Sequence, residues 1–321
     1  MAWTTVAKPH WHQRHFTRAS SVPVPNGSHA LVVGDSWGLL SAAALQEAVA
    51  PLGLDVRNRG GEASFGLTAC ALATAIERPG YLFASQIQSV AYVWLSSGGN
   101  DLVASYRNRK PSAGGGASGA VSGADPLERL GGCVRRVLLR LFALQPSLQV
   151  VQFSYEVLCA SKTSPIQALA RSECEPSGPG EANTSSSHGS GGGGGGGGGR
   201  GEEATAAVTS CYNSGVARVH ATLAAMRHRM ATGGELRAIE ARGGSYTLLN
   251  LQGTLQAAGG VDRAWTGTPR LDAYTPRKFF LGDCMHLSLE GQRAVMRAFV
   301  GAYWRPRVDE AAALSARDTR L

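Results

Sequence analysis

The sequence predicts an α/β domain built on a parallel sheet with helices on both faces. Two observations predict it. Short apolar runs of strand length alternate with segments of helical periodicity along the chain. The run Val90–Leu95 is also continuous in apolar character rather than alternating, as strands covered on both faces are.

Taken in order, Ala30–Gly34 reads as a fully buried first strand. A helix over Trp37–Ala50 follows, rich in Ala and Leu and closed by Pro51 and Gly53. Leu54–Arg57 is a second short strand, and Leu67–Glu77 a helix. Val90–Leu95 is the third strand. Leu127–Leu144 carries the clearest amphipathic pattern, with Leu130, Cys133, Val134, Val137, Leu138 and Leu141 recurring every three or four positions. Leu148–Phe153 and Tyr246–Leu251 supply strands four and five, with a helix over Ala204–Met230 between them. Ser288–Tyr303 closes the chain as a helix that Ser288 is placed to cap.

Composition sets the outer limits. Of 321 residues, 43% are hydrophobic, too many for a wholly disordered chain. No uninterrupted apolar stretch is long enough to span a bilayer. Lys plus Arg outnumber Asp plus Glu by 31 to 23, a formal charge of +8, but the excess is spread along the chain. Its densest group, Arg135, Arg136 and Arg140, has helical spacing and no interleaved aromatics. It reads as a solvated helix face, and no nucleic-acid partner is expected.

Glycine is over-represented at 42 residues, with an unbroken run from Gly191 to Gly199. Residues 176–203 therefore read as a disordered Gly/Ser-rich insertion inside one domain, because such chain buries too little apolar surface to offset its ordering entropy. Homopolymeric Gly supplies neither the strand nor the helix that a phosphate-binding loop needs. Pro111–Gly123 is a second stretch of this kind. The expected domain spans 29–304, preceded by a tail over 1–28 and followed by one over 305–321. The first 28 residues hold Lys8, Arg14 and Arg18 with no acidic residue, as some organelle transit peptides do; a short disordered tail is the other reading. The six cysteines form no C-x-x-C pair, so a zinc site has little support. Their even number permits disulfides, and buried free thiols are the alternative.

Ligands of open parallel sheets sit outside the carboxyl ends of the strands, and three of those ends carry reactive residue types. Strand one ends in Gly34-Asp35-Ser36-Trp37-Gly38, which puts Ser36 at a sharp strand-to-helix turn, beside N–H groups that favour an anion. Strand three ends in Ser97-Gly98-Gly99-Asn100-Asp101, offering the Asn100 amide as a neutral donor. Near the chain end lies Asp283-Cys284-Met285-His286. Three residues make about one helical turn, so the carboxylate can reach one ring nitrogen and leave the other facing a nucleophile. Gly34–Gly38 also matches the G-x-S-x-G elbow of α/β-hydrolases. Too few residues precede Gly34 to form the strands that fold requires before its serine.

These residues resemble the SGNH (GDSL-type) hydrolase superfamily. Gly34-Asp35-Ser36 matches its first block, Gly98-Gly99-Asn100-Asp101 its Gly-x-Asn-Asp block, and Asp283 with His286 its Asp-x-x-His block. Trp37 stands in place of Leu, as in variants beginning Gly-Asp-Ser-Trp. The glycine block is matched by Gly66, followed two positions later by Thr68, with Gly60 and Gly61 as alternatives. Gly66 is preferred because its N–H is expected to open the next helix.

The resemblance implies a three-layer α/β/α sandwich of flavodoxin-like character with a five-stranded parallel sheet. It implies hydrolysis of acyl or acetyl esters of lipid or carbohydrate, with no cofactor and no metal, by a monomer. Ser36 is the implied nucleophile, His286 the base and Asp283 its orienting acid; Ser36, Gly66 and Asn100 form the implied oxyanion hole. Asp101 is expected to fix a loop, and Cys284 to be structural. Acyl transfer to a sugar with the same triad, or a non-catalytic glycan- or acyl-binding module, are the competing expectations.

Overall fold

A computed structural model describes residues 29–57, 63, 65–78, 87–108, 125–153, 155–157, 159 and 199–310. Its centre is a five-stranded, all-parallel sheet of β1 (His29–Gly34), β2 (Asp55–Arg57), β3 (Tyr92–Ser96), β4 (Gln149–Phe153) and β5 (Ser245–Leu249), in the order β2-β1-β3-β4-β5. Every residue of β3 and β4 is buried, the polar Gln149 and Gln152 of β4 included.

The described helices are α1 (Ser36–Val49), α2 (Ala69–Glu77), α3 (Gly99–Asn108), α4 (Pro126–Leu144), α5 (Gly199–Thr232), α6 (Glu235–Glu240), α7 (Thr254–Ala258) and α8 (Leu289–Phe299). One layer holds α1, α7 and α8, with α8 packed on both others; the opposite layer holds α2, α3, α4 and α5. The arrangement follows from connection handedness. From β1 the chain crosses one way to β2, and then back past β1 to β3. Right-handed crossovers in opposite directions put their helices on opposite faces. The expected three-layer α/β/α sandwich with a five-stranded parallel sheet is thus the observed fold.

Local signals account for the helix ends. Asp35 caps α1, Thr68 caps α2, Asp125 caps α4 and Ser288 caps α8, each accepting a backbone N–H with its side chain. Arg135 and Arg136 lie on an exposed face of α4 and pair with Glu235 and Glu77, joining α4 to α6 and α2. Exposed pairs of this kind add little stability. Two disulfides tie distant segments: Cys70–Cys133 joins α2 to α4, and Cys159–Cys284 joins the exit of β4 to the segment before α8. Cys211 is disulfide-bonded as well.

Some boundaries differ from those the sequence suggests. Helix α5 begins at Gly199, so residues 199–203, counted in the expected disordered insertion, are helical; 176–198 lie outside the described residues, as do 1–28, 111–123 and 311–321. Beyond α8 the backbone continues through a π-helical turn, Val300–Trp304, and stays helical to Glu310, past the expected limit at 304. Arg307 covers the Tyr303 ring there, at 3.8 Å from its centroid. No helix among the described residues is long and apolar enough to cross a membrane.

Candidate active site

The direction of the sheet reverses between β1 and β3, and the loops leaving these two strands diverge to opposite faces. A crevice opens there at the carboxyl edge, as it does wherever an open parallel sheet changes direction. Ser36 follows β1 on one side of it, and Asn100 follows β3 on the other.

The turn into α1 depends on Gly34. This residue has φ +131°, and a Cβ on it would lie 1.7 Å from the Ser96 carbonyl oxygen. With no side chain there, β1 and β3 stay paired up to Gly34 and Ser96, and the Asp35 N–H donates to that same carbonyl at 3.0 Å. The Asp35 carboxyl then turns inward. It is 1% exposed and accepts from the Trp37 N–H at 3.1 Å, from the Ser96 hydroxyl at 2.8 Å and from the Tyr155 hydroxyl. Burial pushes it up to about 7, against the opposing pull of the Ser96 hydroxyl and the Trp37 N–H. Ser36 is left as the first residue of α1, 4% exposed, with its hydroxyl toward the crevice wall formed by His286.

His286 Nε2 lies 2.9 Å from Ser36 Oγ, and His286 Nδ1 lies 2.6 Å from Asp283 Oδ2. The expected helical turn is absent from this block. Asp283 and His286 meet instead across a tight non-helical turn, in which Asp283 Oδ1 accepts the N–H groups of Met285 and His286, both at 3.0 Å. Cys284 makes this possible by adopting φ +55°. Burial raises the Asp283 carboxyl, but the hydrogen bonds from the His286 ring and from the Met285 and His286 N–H groups outweigh it and hold the group below the ordinary range. An ionised Asp283 can only accept, so Nδ1 carries the ring proton and Nε2 is the acceptor facing Ser36. Trp37 ties the two blocks together, its indole N–H donating to the Met285 carbonyl at 3.1 Å.

Asn100 is the second residue of α3 and lines one cavity with Ser36. Its Nδ2 donates to the Leu67 carbonyl at 3.1 Å, which fixes the amide plane and leaves the second amide hydrogen for another acceptor. Asp101 is buried and accepts the Ala69 N–H at 3.0 Å, which ties it to the start of α2. Burial pushes its carboxyl up to about 6.

Gly66 is placed differently from its expectation. It sits in an exposed turn, at φ +73°, and does not open the helix. Thr68 takes the cap, and the first free N–H groups of α2 go to Asp101 and to the Thr68 hydroxyl. Gly60 and Gly61 lie outside the described residues. The structure thus brings Ser36, His286, Asp283 and Asn100 to one crevice, while the glycine stays apart from the helix end meant to aim it.

Three further residues of the site carry no sequence motif. Tyr155, just beyond β4, donates to Asp35 and packs its ring on Trp37 at 4.8 Å between centroids. Phe65, 63% exposed, meets the His286 ring edge to face at 6.0 Å. Cys159 anchors Cys284. For Tyr155 the usable signal is the strand-end rule, which applies to β4 as it does to β1 and β3.

The sequence matches no protein-family model, and comparison with curated proteins likewise finds no match. Among solved structures, the chain is similar to the lipase Lip_vut3 from a goat rumen metagenome. The identity is 9% over 86% of this chain and 98% of that one, with a TM-score of 0.47. It is also similar to a carbohydrate esterase family 3 protein from Talaromyces cellulolyticus, at 12% identity over 88% and 99% of the two chains, with a TM-score of 0.41. At such identity, function has to be argued from the side chains.

Proposed function

We propose that the chain is a serine esterase of the SGNH type that cleaves carboxylic esters through an acyl-enzyme intermediate. The observation that carries the reading is the linear relay from Asp283 through His286 to Ser36, with heavy-atom spacings of 2.6 and 2.9 Å.

In this reading His286 Nε2 takes the Ser36 proton as Oγ attacks the ester carbonyl carbon. Asp283 holds the tautomer and stabilises the imidazolium that results. The tetrahedral oxyanion is met by the Asn100 amide and by the Ser36 N–H, which as the first N–H of α1 has no carbonyl within its helix to bond. Collapse breaks the bond to the alcohol, which leaves with the proton from His286. Water then attacks the acyl-enzyme, gives its proton to His286 and releases the acid, restoring Ser36. Acyl transfer to a sugar differs only in which hydroxyl makes the second attack, so product analysis with and without a sugar acceptor separates the two. A purely binding role leaves the relay without use.

The test is active-site labelling. A fluorophosphonate should modify the wild type once, at Ser36, and leave Ser36→Ala unmodified. Labelling that persists in Ser36→Ala, or modification of another serine, would overturn the assignment.

A further inference from the structure

Beside Ser36 lies a cavity whose walls say more about the substrate than the relay does. Its polar edge is formed by Ser36 and Asn100, while Leu102 and Val103 of α3 and Val216 and Val219 of α5 give it aliphatic walls. It is shallow for an identifiable reason. A Cβ on Gly98 would fall 2.7 Å from Val219 Cγ1, and one on Gly99 would fall 2.7 Å from the Tyr155 ring. Helix α5 and Tyr155 therefore press directly on the bare backbone leaving β3, and the buried Val219 is one of the lining residues. The room that remains is about 30 Å³. A single water needs roughly 10–15 Å³ by the same measure, so two or three atom-sized groups fit.

His286 is not among the residues that line this cavity, although its neighbour Met285 is. A leaving alcohol must face His286 to receive its proton, so the group directed into the cavity is the acyl chain. On that basis we infer that the cavity is the acyl subsite, and that it selects esters of short, uncharged aliphatic acids of about two to four carbons. The inference rests on the esterase reading above and adds the substrate class to it. The alcohol emerges past His286 and the exposed Phe65 ring, where nothing among the described residues limits its size.

The experiment holds the alcohol constant and varies the acid, using p-nitrophenyl acetate, butyrate, octanoate and palmitate. Wild-type kcat/KM should be similar for acetate and butyrate and fall at least about 100-fold by octanoate, as expected when methylenes overfill an apolar pocket. Val216→Ala, which trims a wall, should raise the octanoate-to-acetate ratio about fivefold or more, and Val103→Phe, on the half-exposed wall, should lower butyrate relative to acetate. A wild type that is labelled at Ser36 yet prefers octanoate or palmitate would overturn the acyl-subsite assignment and leave the esterase reading standing. Ratios unmoved by both substitutions would do the same. No labelling and no turnover of any ester would overturn both readings.

Discussion

Cys159 and Cys284 are joined by a disulfide that spans 125 residues of sequence, and it fastens the exit of β4 to the middle of the Asp283–His286 turn. It is the last of several ties made by one short stretch. Tyr155 donates to Asp35, beside the proposed nucleophile; Glu156 accepts the Gly253 and Leu255 N–H groups at the start of α7; the Val157 carbonyl accepts the Thr275 hydroxyl. The residues just beyond β4 therefore hold both halves of the candidate site, the serine block through Tyr155 and the acid–base block through Cys159.

Breaking that fastening should separate stability from chemistry. The double substitution Cys159→Ala/Cys284→Ala should lower the unfolding free energy by about 2–4 kcal/mol, as loss of a long-range disulfide does. It should also reduce kcat more than KM, because Cys284 at φ +55° shapes the turn that presents His286. Urea unfolding and steady-state kinetics on one preparation check both. A variant with lowered stability and wild-type kcat would show that the turn holds its shape unaided.

Tyr155→Phe isolates the other end of the stretch. It removes the hydroxyl donor to Asp35 but keeps the ring that packs on Trp37. The expected cost is about 1–2 kcal/mol of stability, for a buried acceptor losing one of several donors. A drop in kcat should accompany it, since Asp35 caps the helix that Ser36 begins. Chemical denaturation and ester turnover measure the two effects.

Three buried carboxyls give stability a definite pH dependence. Burial pushes Glu156 up to about 8, Asp35 to about 7 and Asp101 to about 6. Each binds its proton more tightly in the folded chain than in the unfolded one. Their contribution is therefore fully present below the ordinary carboxylate range and is lost as pH rises through these values. The melting temperature should fall between pH 5 and pH 8.5, and Glu156→Gln should flatten the upper part of that decline. Asp283 has the opposite sign: held low by His286 and two backbone N–H groups, it withdraws stability only as pH falls below the ordinary carboxylate range. A melting temperature that rose steadily from pH 5 to 8.5 would contradict this assignment of the buried carboxyls.

How much of this the sequence reveals depends on whether a residue's role is local. β1 and β3 are legible because strands covered on both faces are largely apolar, β4 because Val150, Val151 and Phe153 keep an apolar character around its buried Gln149 and Gln152, and α4 because one of its faces is buried and the other solvated. Helix α3 is not legible: it opens with Gly99-Asn100, a pair that reads as a turn, and its burial depends on α4 and α5 packing over it. Ser36, Asn100, Asp283 and His286 can be picked out since each sits at a strand end or in a short block. The shape of the Asp283 turn is hidden because it rests on a left-handed Cys284 held by a distant partner. Six cysteines allow fifteen pairings, and spacing does not choose among them. Tyr155 carries no pattern, and it acquires a role only when β4 lies beside β3.

On the proposed reading Asn100 divides binding from chemistry. Its amide is anchored by the Leu67 carbonyl, so in that reading its second hydrogen costs no reorganisation when charge develops on the substrate carbonyl oxygen. Asn100→Ala should lower kcat by roughly 100- to 1,000-fold and leave KM little changed. The shape of the pH–rate profile should stay as in wild type, because the amide does not titrate. If KM rose and kcat held, Asn100 would be a substrate-binding or loop-fixing residue.

Gly34→Ala tests the turn on which the serine depends. The added Cβ would meet the Ser96 carbonyl oxygen at 1.7 Å, and φ +131° is strained for any side chain. The oxygen cannot simply step aside, since it accepts the Asp35 N–H while the Ser96 hydroxyl donates to the Asp35 carboxyl. Moving it disturbs both bonds and parts β1 from β3 at the edge where Ser36 and Asn100 face each other. The loss should be at least about 3 kcal/mol of stability, with esterase activity falling further than the folded fraction does. Gly66→Ala is the control: a Cβ there meets nothing within 4 Å, so its effect should be confined to the backbone strain of φ +73°, about 1 kcal/mol. Equal losses from the two substitutions would mean that the contact between Gly34 and Ser96 does not govern the serine turn.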